Sequence, residues 1–460
     1  MKKFTSLALT VLLLTSLFAL SADAATDPSK KPNIILIVSD DAGYAEFSMH
    51  GSKTISTPHI DSIAANGVGF SNGYVSGSVC SPTRAGLLTG RYQNRFGHEF
   101  NIPPVYSESN GLPLTETMLP AVLKDAGYRS IALGKWHLGY APQFHPLSRG
   151  FDDYYGFLQG QRSYFPLDKP TRLNQLLRDR EPVQPESFDY MTDELARGAA
   201  EYIVANKARP FFMYLAFNAT HGPKHATEED LAKTGGNTIA AMTIALDRAV
   251  GVVLDELKTQ SLTDHTLVIF INDNGGATGH DNSPLRGRKG QAWEGGIRVP
   301  FAMQWPGTLP QGKVIDAPVI SLDIFPTALA VAGVAKSTGN PLDGVNLIPF
   351  LTGDNQGRPH QTLFWKNGNS WAVRDGDLKL VKGSKDASTL ELFDLAEDRC
   401  ETADLAAAQP TDVERLRNLY DKWKHDFPTP LWGGKHAADK DAVPAAESKI
   451  PKKTNSGETR

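Results

Sequence analysis

Cysteine is nearly absent from this 460-residue chain, with only Cys80 and Cys400 present. A disulfide-stapled scaffold is therefore excluded, and one bridge at most could form. No excess of either charge is present: 47 Lys and Arg stand against 51 Asp and Glu. That balance leaves no electrostatic footprint for nucleic acid and no polybasic patch for an anionic membrane surface. Long apolar runs are missing past the N-terminus, and the run from Leu7 to Leu20 is short for a bilayer span. It follows Lys2 and Lys3 and precedes the small residues Ala22-Asp23-Ala24, the layout of a cleavable export signal over residues 1–24. The expectation is a periplasmic or secreted protein with no stable membrane anchor. No internal repeat is found.

What is present is an alternation of short apolar runs with helical patterns. Asn33–Val38, Tyr128–Leu133, Phe211–Phe217 and Thr266–Ile271 are rich in β-branched or aromatic residues and bounded by polar or turn residues. Helical periodicity precedes the last three, over Glu116–Ala126, Asp189–Asn206 and Ile239–Lys258. The pattern predicts an α/β fold: a large, mostly parallel sheet flanked by helices. Past residue 350 the character changes. Thr362–Trp365, Ser370–Val373, Leu378–Val381 and Leu390–Leu395, separated by Asn, Gly and Asp turns, read as a smaller antiparallel sheet, followed by a helix over Asp412–Trp423. The expected layout is a catalytic domain over 25–355, a C-terminal subdomain over 356–434, and a polar, disordered tail over 435–460.

Each of the four runs is followed by polar residues: Asp40 and Asp41, Lys135 and His137, His221, and Asp273 and Asn274. Ligands bind outside the carboxyl ends of strands in open α/β sheets. A strand-end Asp or Asn often does no more than start a turn, but four such strands feeding one edge describe a site. Asp40, Asp41, Asp273 and Asn274 offer hard oxygen donors suited to calcium or magnesium rather than zinc or copper. Calcium is favoured because an all-protein cage suits its larger, looser shell.

Cys80 opens Cys80-Ser81-Pro82-Thr83-Arg84, and Pro82 fits the first turn of a helix. The thiol would then lie at a helix N-terminus. A buried inert cysteine and a low-pKa thiolate nucleophile are both readings of that position. A soft thiolate beside hard-oxygen ligands suits neither well, and an oxygen-bearing side chain would suit better.

The run Cys80-Ser81-Pro82-Thr83-Arg84 with Leu88-Thr89-Gly90-Arg91 resembles the modification motif of the type I sulfatases. The resemblance continues through Pro32-Asn33-Ile34, Gly134-Lys135-Trp136-His137-Leu138-Gly139, Thr220-His221-Gly222-Pro223, Asp273-Asn274-Gly275-Gly276, and Lys289-Gly290 through Pro300. It spans about residues 31–405. The resemblance implies an alkaline-phosphatase-like sulfatase fold and oxidation of Cys80 to formylglycine by a formylglycine-generating enzyme. It implies a calcium ion held by Asp40, Asp41, Asp273, Asn274 and residue 80. The hydrated aldehyde would attack sulfur with one hydroxyl and expel sulfate with the help of the second. Arg84, Lys135 and Lys289 would meet the charge on the transferring group. His221 would be the general acid, and His137 would handle the proton on the diol with Asp273 assisting.

The stretch Pro142–Leu147 followed by Gly150-Phe151-Asp152 resembles sulfatases acting on galactose or N-acetylgalactosamine sulfates, so a sulfated saccharide is the expected substrate. Asn94, Arg95, His98 and Glu99, which follow the expected Cys80 helix, and Gln143, His145, Arg149, Tyr164 and His280, in expected loops over the strand edge, are weaker site candidates. Asp323 is expected to cap a helix. Cys400 sits in an acidic segment expected to be exposed. The competing readings are a phosphate or phosphonate monoester hydrolase and a non-catalytic glycan-binding protein.

Overall fold

The computed structural model describes residues 31–335, 339–384 and 388–433; the expected export signal and C-terminal tail lie outside the described residues. A ten-stranded sheet organises the larger part. Its order across is Lys313–Ile315, Val68–Phe70, Phe301–Gln304, Thr266–Asn272, Asn33–Ser39, Phe211–Ala216, Arg129–Lys135, Asp153–Phe157, Leu177–Arg178 and Glu181–Pro182. The four strands read from the sequence are contiguous neighbours, and all their pairings are parallel. A fifth parallel strand, Asp153–Phe157, extends them. The flank beyond Thr266–Asn272 is entered by the antiparallel strand Phe301–Gln304.

Both faces of the sheet are covered, which is why its strands are apolar throughout rather than alternating. Ile34, Leu36 and Val38 point into one core layer, with Leu87 and Leu88 of the Cys80–Thr89 helix and Leu119 and Leu123 of the Leu119–Asp125 helix. Ile35 and Ile37 point into the other, against Leu195 and Ile203 of Met191–Asn206 and Leu246 and Val250 of Thr238–Thr259. Period-two alternation along one strand thus feeds two separate layers.

The C-terminal strands Thr362–Asn367, Ser370–Asp375, Leu378–Lys382 and Glu391–Asp394 form an antiparallel meander in chain order. The helix Pro410–Lys424 closes one face, where Trp371 and Tyr420 stack with ring centroids 4.0 Å apart. The opposite face buries Trp365, Ala372 and Phe393 against Tyr74, Ile297 and Leu322 of the larger part.

Two local expectations need refining. Asp323 caps, but not the helix Ile324–Val331 at whose N-cap position it stands. Its carboxylate accepts from the Ile320 N–H that opens the preceding turn Ser321–Asp323, and from Val345 N–H. The acidic segment around Cys400 is not simply exposed: Glu401 is buried and paired with Lys379.

Candidate active site and metal centre

The parallel strands end together, and backbone hydrogen bonds lock their exits. Asp40 N–H donates to Ala219 O at 2.8 Å, Thr220 N–H to Asp40 O at 2.6 Å, and Asp273 N–H to Ser39 O at 3.0 Å. Gly134 has φ +91°, and a Cβ there would lie 2.1 Å from Ala216 O, so only glycine lets the strand carrying Lys135 approach its neighbour. Asp41 and His137 both adopt left-handed backbone conformations, with φ 61° and 58°. Such strain in non-glycine residues is found where a site over-determines it.

On the other side of the sheet edge, Cys80 begins its helix with Pro82 in the first turn, as the motif predicts. The Cys80 Sγ lies 3.5 Å from Asp40 Oδ1, 3.9 Å from Asp41 Oδ1 and 3.2 Å from Lys289 Nζ. Lys289 also pairs with Asp41 Oδ1 at 2.6 Å. Lys135 is fully buried and pairs with Asp40. Arg84 is equally enclosed, with Nη2 2.9 Å from Asp273 Oδ2 and 3.4 Å from Asp40 Oδ2, while Nη1 donates to Lys135 O. His221 completes the ring, with Nε2 3.6 Å from Asp41 Oδ2. Ligand atoms of Asp40, Asp41, Cys80 and His221 all fall within 4.8 Å of one another. Asn274 donates its Nδ2 to Asp41 Oδ1 at 2.8 Å, and its Oδ1 is buried without a partner. Asp273 Oδ1 lies 3.5 Å from the Asp41 nitrogen.

The cluster suits a hard divalent cation. Three buried carboxylates and an orphaned amide oxygen converge, and an unpaired buried oxygen costs free energy unless something occupies it. Both Cys80 and Cys400 are free thiols, which rules out the bridge between them.

The electrostatics separate the members. Burial alone would raise the Asp40 carboxyl, but Lys135 leads a set of cations that holds it well below the usual carboxylate range. Asp273 is pushed up to about 6 by burial and the charge of Asp40. Burial, then Asp273 and Asp40, pushes the Cys80 thiol far above its ordinary range, opposite to what an activated thiolate requires. Burial and Lys135 lower both His137 and His221.

The weaker candidates divide. Tyr164 donates to His221 O at 2.9 Å and so holds the His221 loop. His98 Nε2 meets Ser81 Oγ at 2.7 Å, and Ser81 Oγ in turn donates to His137 O, so this pair braces the start of the Cys80–Thr89 helix. His280 stands on a loop over the edge, bonded to Glu46. The others serve elsewhere. Asn94 and Glu99 bond to each other and to the Lys366–Gly368 turn, and Arg95 pairs with Asp343. Gln143 bonds Glu108 O, His145 accepts from Leu147 N–H, and Arg149 braces residues 112–116. The stretch 142–149 therefore packs as scaffold rather than onto the cluster.

The chain aligns with the sulfatase family profile over residues 32–334. It belongs to the sulfatase family. A second profile, described as the C-terminal part of N-sulphoglucosamine sulphohydrolase, matches residues 288–423. This sulfatase is 34% identical over 394 residues to the N-acetylgalactosamine-6-sulfatase of Canis lupus familiaris, covering 80% of this chain and 74% of that protein. The solved structure of Ps i-CgsB in complex with k-i-k-neocarrahexaose superposes with TM-score 0.82 at 36% identity, over 87% of this chain and 94% of that one. The phosphonate monoester hydrolase of Agrobacterium radiobacter, at 20% identity and TM-score 0.62 over 86% of this chain and 95% of that one, shares the fold.

Two groups of this sulfatase escaped sequence reading. Lys224, three residues past His221, bonds His280. Glu294, Lys379 and Glu401 form a buried ion-pair network between the two sheets. Lys224 lies in the motif loop and could have been flagged there. The network joins residues 107 apart, from Glu294 to Glu401, and no local pattern announces it.

Proposed function

We propose that this enzyme removes sulfate from a sulfated carbohydrate, with residue 80 converted from cysteine to formylglycine and with calcium held by Asp40, Asp41, Asp273 and Asn274. The observation that carries the reading is the cluster itself: residue 80 lies against two buried carboxylates and Lys289, where a thiol proton is tightly held. The carbohydrate rests on the names of the relatives, N-acetylgalactosamine-6-sulfatase and Ps i-CgsB in complex with k-i-k-neocarrahexaose.

The chain's own charges balance at this point. Asp40, Asp41 and Asp273 face Arg84, Lys135 and Lys289 one for one. Calcium, when bound, would add two positive charges and polarise the sulfate oxygens. Formylglycine, when hydrated, would supply a hydroxyl for attack and a second whose deprotonation releases sulfate. Lys135 and Lys289 hold fixed positive charge where the transferring group spreads its negative charge. In this reading His221, partly open to solvent, gives a proton to the departing sugar oxygen. Burial disfavours its imidazolium, and the negative charge of a bound sulfate ester would favour it again. His137, buried with Nδ1 unpartnered, is the base for the diol proton.

The domain layout, export by residues 1–24 to the periplasm or medium, and maturation by a formylglycine-generating enzyme belong to this proposal. Among the described residues no helix is long and apolar enough to cross a membrane. Mass spectrometry of the peptide around residue 80, from protein made in its native host, should show the aldehyde mass. Rates on matched sulfate and phosphate monoesters should favour sulfate. An unmodified thiol in active protein, or a large phosphate preference, rejects the reading.

A further inference from the structure

Three loops that carry the candidate catalytic groups are also joined by a hydrogen-bond chain through Glu46, His280 and Lys224. Glu46 follows the Asn33–Ser39 strand, Lys224 follows Phe211–Ala216, and His280 follows Thr266–Asn272. The Glu46 carboxylate is buried and accepts from Gly43 N–H at 2.7 Å and Asp281 N–H at 3.1 Å. It also faces His280 Nδ1 at 2.8 Å. An ionised carboxylate only accepts, so His280 carries its proton on Nδ1 and presents Nε2 as an acceptor. The partner of that Nε2 is Lys224 Nζ. Lys224 Nζ donates a second bond to Thr220 O at 2.6 Å, on the residue before His221.

An ammonium has three donors, and two are accounted for. Among the described residues Lys224 has no carboxylate within ion-pair distance, unlike Lys135 and Lys289. It is half-buried, within reach of the charges of Asp41, Glu46 and Asp40, and on the same loop as His221. Burying a cation without a direct ion pair is costly unless it is used. Here the burial is arranged: an imidazole locked in one tautomer by Glu46 fixes where the ammonium stands.

We infer that Lys224 is a substrate-binding residue of this site, donating its third N–H to an oxygen of the sugar ring that carries the scissile ester, with His280 and Glu46 as its positioning residues. The inference rests on the sulfate-ester reading above and adds to it a contact on the leaving-group side. A saccharide offers hydroxyl or carboxylate oxygens around the ester, whereas a simple aryl sulfate offers none, so Lys224 selects for sugar rather than for sulfate.

The test compares two substrates. One is the fastest-cleaved member of a panel of hexose and hexosamine sulfates; the other is 4-nitrophenyl sulfate. Lys224→Met keeps the aliphatic stem, and Lys224→Gln keeps a donor without the charge; both are checked for a native thermal transition. Loss of one charged hydrogen bond predicts that the ratio of kcat/KM, sugar over aryl, falls about 10- to 100-fold in Lys224→Met, chiefly through KM. His280→Leu should lower the same ratio less, and His280→Gln, which can still donate to Glu46 and accept from Lys224, should restore most of it. Equal losses on both substrates, or no loss on either, overturn the role of Lys224 and leave the sulfatase reading standing. Wild-type enzyme that cleaves neither ester overturns the sulfate-ester reading and the inference with it.

Discussion

This protein buries two clusters of charge, and they are built differently. At the strand ends, Asp40, Asp41 and Asp273 meet Arg84, Lys135 and Lys289. Between the two sheets, Glu294 and Glu401 meet Lys379, with Arg298 and Tyr74 also on Glu294. The junction network leaves no side-chain polar atom of these residues unpaired, and Lys379, Glu294 and Glu401 are sealed from solvent. The strand-end cluster leaves Asn274 Oδ1 and His137 Nδ1 without partners, and Lys289 and His221 are 18% and 17% exposed. A buried charge that is fully satisfied is holding two parts together. A buried charge with orphaned neighbours and a way to solvent is waiting for something to bind.

Substitutions should separate the two clusters by what they change. The largest effect expected is that of Cys80→Ala, which removes the proposed nucleophile and should cut turnover of any sulfate ester by on the order of 10⁴-fold or more. Its thermal unfolding, followed by calorimetry, should stay close to wild type. A variant that retained substantial turnover would strip the strand-end cluster of its assigned chemistry. Next comes His221→Ala. It should lower kcat on an alkyl sulfate by about 10²–10⁴-fold, and by clearly less on 4-nitrophenyl sulfate, whose leaving group needs no proton. Equal losses on both would remove the general-acid role.

Most of the strand-end cluster was legible in the sequence because its members lie just past a strand or at a helix start that their own segment announces; Lys289, in a loop, was read only through the family resemblance. Asp40 and Asp41 follow an apolar run, Asp273 and Asn274 follow another, and Cys80 precedes a proline that fits a first helical turn. The parallel sheet was legible for the same reason: buried strands read as continuous apolar runs. Asp153–Phe157 and Phe301–Gln304 were not read, since a five-residue run containing Gly156 and a four-residue run after Pro300 carry little period. The junction network escaped altogether. Its members are single charged residues in unremarkable surroundings, joined only by the docking of the small sheet. Lys224 was missed although it lies in a motif loop, because the hydrogen bond that gives it meaning comes from His280, 56 residues away.

The third effect belongs to the junction. Lys379→Met leaves Glu294 and Glu401 facing each other in a buried setting, and breaking such a pair costs about 3–5 kcal/mol. The unfolding temperature should drop by several degrees, while kcat of the folded fraction stays near wild type. Restoring stability by adding Glu401→Gln to Lys379→Met would show that the unpaired carboxylate was the cause. If Lys379→Met cost activity and not stability, the contrast between the two clusters would fail.

The smallest effect tests how the junction divides its charge. Burial, reinforced by Glu294 and opposed by Lys379, pushes the Glu401 carboxyl from its ordinary 4.5 up to about 7. Glu294 goes the other way, down to about 2, because Lys379, Arg298 and Arg374 together outweigh its burial. Between pH 4.5 and 7 the folded protein therefore keeps a proton on Glu401 that the unfolded chain has lost. Stability from this group is fully present below the unfolded value and drains away as pH rises through the folded one, by on the order of 1–3 kcal/mol. The contribution of Glu294 is present above its unfolded value and is lost only as pH falls toward 2, outside that window. Glu401→Gln imitates the protonated form and cannot titrate. Relative to wild type it should be close to neutral at pH 5 and stabilising at pH 8, measured as the difference in unfolding free energy so that other titrating groups cancel. An isolated salt bridge to Lys379 predicts the reverse, with the glutamine variant losing ground as pH rises. That outcome would mean that Lys379 serves Glu401 as fully as it serves Glu294, and that the junction holds two ionised carboxylates rather than one and a proton.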